Sequence, residues 1–126
     1  MNNYHGTIIE ESLENKTVLN HLKIVNTRIE NVTKKHQTPW LLEWTLHTVE
    51  IKEKDALKIA EEIRHSLDTE HNWYADYKNK TYHYIIFRGK IFKIERDSAK
   101  QYAEVKKYGI ALGIPEHQVD FSPGVE

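Results

Sequence analysis

Asp76 and His83 are the residues of this sequence best suited to proton chemistry. They fall on two neighbouring predicted strands, residues 72–78 and 81–88, joined by a tight turn at Asn79-Lys80. Antiparallel pairing across a turn of that length sets Asp76 opposite His83. A carboxylate beside an imidazole fixes its tautomer and raises its basicity, which is what a general base needs. In such a site His83 is the base, Asp76 orients it, and Tyr74 or Asn72 holds the substrate. The alternative is a hydrogen bond that only makes a half-buried histidine tolerable within a sheet.

A second cluster, Asp68, Glu70 and His71, carries ligand types for a hard or borderline metal. Its spacing matches no recognised ligand pattern, so solvated loop charge is expected there, with no metal and no cofactor. The five glycines are scattered and form no phosphate-binding loop, and no serine sits in a nucleophile elbow. The chain has no cysteine, which excludes a disulfide scaffold, an iron–sulfur cluster and a thiol nucleophile.

Alternation along strands 72–78, 81–88 and 90–95 separates two faces. One carries Asp76, His83, Ile85, Phe87, Phe92 and Ile94 and is expected to lie beneath the helices. The other carries Trp73, Tyr77, Tyr82, Tyr84 and Lys93, aromatic but tipped with hydroxyls and charge. Left open, such a patch demands a partner. Candidates are a second copy of the chain, the N-terminal strands, a small molecule, or stacked single-stranded nucleic acid. Eighteen Lys+Arg against 19 Asp+Glu give a net charge of −1. That balance supplies no basic stripe for phosphates and argues against nucleic acid.

The elements that must hold these residues follow from periodicity. A first strand is expected at 6–12, then a short helical turn near 15–20 and a long strand from Leu22, where β-branched residues crowd. Residues 36–40 form a connection, because Pro39 disfavours helix before it. A strand at 41–51 changes the parity of its apolar residues near His47, which suggests a bulge there. Ala56, Ala60, Ile63 and Leu67 make the stripe of a helix over 53–67. A second helix runs from a cap at Asp97 or Ser98 to Leu112, ended by Gly113 and Pro115. A short strand at 118–121 follows. The expected fold is a single α+β domain over residues 1–126, a mostly antiparallel sheet with two helices packed on one face. A ferredoxin-like core or a duplicated βββα unit would both fit that order.

Thr38-Pro-Trp, the run 44–51, the run 71–76 and the run 82–88 together resemble a family of small bacterial and archaeal proteins with no assigned activity. The resemblance spans most of the chain and implies a prokaryotic origin, but no activity, cofactor or residue role. With no secretory signal and no long apolar run, the expected setting is cytoplasmic, away from membranes. The expected function is a non-catalytic binding or interaction module that self-associates, as a dimer, through the aromatic strand face. The alternative is a small enzyme or ligand-binding protein with a pocket centred on His83 and Asp76.

Overall fold

Six strands and two helices form in the computed structural model, which describes residues 2–33, 38 and 40–119. The strands are β1 (Tyr4–Ile9), β2 (Lys23–Asn31), β3 (Glu43–Ile51), β4 (Tyr74–Lys78), β5 (Tyr82–Phe87) and β6 (Ile91–Glu95). The helices are α1 (Ala56–Ser66) and α2 (Ala99–Ala111). The strands pair antiparallel in one sheet of order β2-β3-β1-β4-β5-β6. The protein is α+β, as the periodicity predicts. Among the described residues no helix is long and apolar enough to cross a membrane.

The N-terminal strand sits between strands made much later in the chain. β3 and β4 each run antiparallel to β1 and are therefore parallel to one another. The chain between them must cross a face of the sheet, and α1 is that crossover. Its buried stripe of Ala56, Ile59, Ala60 and Ile63 faces inward, and Glu53 and Asp55 sit in the 3-10 turn that leads into it. The β1 and β4 backbones come together closely at Gly6. A Cβ there would lie 2.0 Å from the Asp76 carbonyl oxygen and 2.6 Å from the Cα of Tyr77.

Each face of the sheet has its own apolar cluster. Tyr4, Ile8, Val49, Ile51, Tyr77, Tyr84 and Ile86 pack under α1. Ile85, Phe87 and Ile94 pack under α2 with Tyr102 and Val105. The helices therefore lie on opposite faces of the sheet, which corrects the expectation of both on one. The cause is β5: its run Ile85-Ile86-Phe87 is fully buried, so neither side of that strand can be left to water. The two βββα halves also differ in wiring, since β1 pairs with β3 whereas β4, β5 and β6 form a meander.

Four local details depart from expectation. The β4–β5 turn is centred on Lys80-Thr81, with the Asn79 carboxamide oxygen accepting from the N–H groups of Thr81 and Tyr82 at 2.9 and 2.8 Å. Asp76 consequently pairs with Ile85, and Lys78 pairs with His83. A slip of two residues leaves every side chain on its expected face. The bulge lies at Val25 in β2, not near His47 in β3. β3 changes apolar parity because both its faces are partly covered, with Leu46 on one and Val49 and Ile51 on the other. β1 ends at Ile9, because Glu10–Ser12 form a 3-10 turn, whereas the helical turn expected near 15–20 does form at Lys16–His21 and the long strand follows it as β2. Of the strand expected at 118–121, Gln118 closes a 3-10 turn (Glu116–Gln118), and residues 120–121 lie outside the described residues, as do 36, 37 and 39 of the expected connection. The second helix behaves as expected: Ser98 caps it, and Gly113 takes a φ of 93° after its last turn.

The contact at Gly6 makes a direct prediction. Gly6→Ala forces β1 away from β4 and should destabilise the fold by about 1–3 kcal/mol, read as a lower urea midpoint at unchanged m-value.

Candidate functional site

Among the described residues, α2 covers only the β5–β6 side of its face, and no other α-helix lies on the rest of it. Register defines what the open part carries. Thr7 pairs with Asp76, Ile9 with Leu46, and Leu46 with Arg28, so all five share one side of the sheet. They line a cleft of about 340 Å³ with Trp44, Tyr74 and Gln118 among its walls. That volume lies at the small end of the range for ligand pockets. Ile9, Leu46 and Trp44 give an apolar floor, while Asp76 and Arg28 supply opposite charges on separate strands. A smaller cavity of about 240 Å³ shares Asn72, Trp73 and Gln118 with it and extends toward Trp40 and His71.

Asp76 is fixed from behind. Its Oδ2 lies 2.7 Å from Nε2 of His83, and Nδ1 of His83 lies 3.0 Å from the hydroxyl of Tyr102 on α2. Burial, partly opposed by Arg96, pushes the Tyr102 hydroxyl upward, so it stays protonated and donates. The network thus assigns one tautomer: Tyr102 O–H donates to Nδ1, and Nε2–H donates to Asp76. His83 is only 3% exposed and both its nitrogens are engaged. The expected roles therefore exchange places. Asp76 lines the cleft, while His83 is the buried group that orients it and has no path to a substrate.

The positions above the cleft are held by the C-terminal segment. Asn72 Nδ2 donates to the Leu112 carbonyl, and the Tyr74 hydroxyl donates to the Gln118 carbonyl. Burial, reinforced by the charge of Asp76, raises the Tyr74 hydroxyl well above its ordinary value, so it too is a donor. These bonds make Asn72 and Tyr74 walls already in use.

The aromatic strand face is interior. Tyr77 and Tyr84 are buried under α1, and the Tyr77 hydroxyl donates to the Ala56 carbonyl, whereas Trp73 lines the cleft and packs against Trp44. Tyr4 of β1 meets Tyr77 and Tyr84 edge-on at 5.6 and 5.3 Å. Burial, with the nearby Tyr84 hydroxyl, raises Tyr4 to about 12. Tyr82 is half-buried, and the Lys93 ammonium lies over its ring at 4.3 Å. The face expected to receive a partner is thus filled by the chain's own first strand and first helix.

Asp68, Glu70 and His71 form a turn. Asp68 accepts from the Glu70 N–H at 2.9 Å and contacts His71 Nδ1 at 2.7 Å, and Trp40 stacks on the imidazole at 3.7 Å. Although burial alone would raise it, these bonds hold the Asp68 carboxyl below its ordinary value. Among the described residues no three such side chains converge as metal ligands would.

A further polar chain lies on the α1 side. Glu10 Oε1 lies 2.8 Å from Nε2 of His47, whose Nδ1 lies 2.8 Å from Oγ1 of Thr27. The His47 hydrogen bond, and with it Lys16, holds Glu10 below its ordinary value. This chain ties the 3-10 turn after β1 to β3 and β2.

Comparison with family models, with curated proteins and with solved structures finds no match for this chain. Of the cleft residues, sequence reasoning named Asn72, Trp73, Tyr74 and Asp76 but not Thr7, Ile9, Arg28, Trp44 or Leu46 as a site. Their only signal was position: each belongs to the outward set of a strand whose neighbours were unknown until β1 was placed between β3 and β4.

Two measurements check this geometry. Imidazole nitrogen shifts of His83 should report the Nε2–H tautomer in the wild type, and Tyr102→Phe should disturb them while costing about 1–3 kcal/mol. Glu10, depressed in the folded state, contributes stability that is present above its unfolded value of 4.5 and lost as pH falls through the lower folded value. Glu10→Gln should therefore flatten the acid limb of stability below about pH 5 and leave that above it level.

Proposed function

We propose that the protein is a binding domain for a small amphipathic molecule taken into the cleft between Asp76 and Arg28. The supporting observation is a carboxylate at the cleft held through one of its two oxygens by a buried His83–Tyr102 pair. A group pinned in this way is pre-organised, so little ordering cost is left for the ligand to meet. Asp76 selects an N–H or O–H donor, most strongly a cationic one. Ile9, Leu46 and Trp44 select an apolar or planar body, and Arg28 favours an acceptor at the far wall. Holding such a molecule requires no chemistry beyond recognition.

The test is a nitrogen–proton correlation titration with benzylamine, benzamidine, benzyl alcohol and benzoate as probes. Benzylamine or benzamidine should shift the amides of Thr7, Leu46 and Asp76, and benzoate should not. Asp76→Asn should weaken that binding at least about tenfold, the size of a lost charge-assisted bond. No shift with any probe at millimolar concentration, or shifts that persist in Asp76→Asn, would overturn the proposal.

A further inference from the structure

β2 is an edge strand of nine residues, and the burial of its side chains is slight along almost its whole length. Val25 is 49% exposed and Ile29 63% exposed. A long exposed edge presents a row of unpaired N–H and C=O groups and is a template for another strand. The opposite edge, β6, is only five residues long and has α2 packed beside it.

Backbone parity tells which residues of β2 face outward. The Val32 N–H donates to the Leu42 carbonyl at 2.9 Å, so Val32 points toward β3. Alternation directs Glu30 and Arg28 inward as well, and leaves the N–H and C=O of Thr27, Ile29 and Asn31 outward. The bulge at Val25 confines regular pairing to the stretch beyond it.

Two copies joined edge to edge by a two-fold axis must place one residue opposite itself. An axis at Arg28 or Glu30 puts like charges face to face, which is unfavourable. An axis at Thr27 drives Ile29 onto the bulge, and one at Asn31 leaves both charges unmatched. With the axis at Ile29, Arg28 meets Glu30 of the second copy, and the pairing occurs twice. The Ile29 side chains then meet across the axis on the α1 side. Arg28 and Glu30 already lie on one side of the strand, 3.7 Å apart within a chain.

We propose that β2 pairs antiparallel with β2 of a second copy about Ile29, forming a continuous sheet across the dimer. The axis is perpendicular to the sheet, so both clefts open on the same side, and Glu30 of each copy stands beside the cleft Arg28 of the other.

Sedimentation velocity of the full chain over a range of concentrations tests this. The wild type should dimerise, and Arg28→Glu and Glu30→Arg should each weaken the dimer about tenfold. The double variant Arg28→Glu/Glu30→Arg re-forms both pairs with the charges exchanged and should restore it. Circular dichroism of each variant verifies that the exposed substitutions leave the monomer folded. A wild type that remains monomeric into the submillimolar range overturns the proposal and leaves the edge to an extended segment of another protein. A dimer indifferent to either single reversal, or a double variant no tighter than the singles, overturns it equally.

Discussion

The insertion of β1 between β3 and β4 is the constraint on which the rest of this structure depends. It joins a β2–β3 hairpin to a β4–β5–β6 meander and makes one sheet of two pieces that otherwise share no ladder. It requires α1 to cross a face, which commits that face to a core. It also requires a residue without a side chain where the two backbones meet, and Gly6 fills that position. The register that results sets Thr7 beside Asp76 and Ile9 beside Leu46. Without β1 neither the floor of the cleft nor the cover over Tyr77 and Tyr84 would exist.

The division of labour between the two faces follows from that insertion. The α1 side is sealed by aromatic rings drawn from three strands, with Tyr4 closing over Tyr77 and Tyr84. Among the described residues the α2 side is sealed only where β5 and β6 need it, because the second helix follows the last strand and returns over its own neighbours. Asp76 stands at the boundary between covered and open sheet. Its imidazole partner lies on the covered side and its cleft on the open one. That position lets a carboxylate be both firmly held and accessible.

Local pattern made much of the fold legible. Both helices, the stop at Gly113 and the alternation of β4, β5 and β6 could be read from spacing alone, because each depends on residues close in sequence. What could not be read was the order of the strands, since β1 has partners some forty and seventy residues away and nothing in Thr7 or Ile9 names them. The aromatic face shows the same limit. Tyr77 and Tyr84 were correctly grouped, yet whether they met water or protein depended on Tyr4 and α1. The run Ile85-Ile86-Phe87 did carry the missing information, since a strand apolar on both sides needs cover on both. The Asp76–His83 contact was legible because a turn misplaced by one residue shifts register by two and keeps both groups on one face. Their roles were not, because Tyr102 approaches from a different element.

The three tryptophans of the chain stand together. The Trp73 ring lies 5.6 Å from Trp44 and 6.5 Å from Trp40, at the end of the cleft where the two cavities meet. The cluster beneath α2 contains none. Intrinsic fluorescence of this protein is therefore a local signal. Emission and near-ultraviolet dichroism follow the packing of that one corner, where close indoles couple electronically, and sense the second helix only through the segment that leaves its C-terminal end.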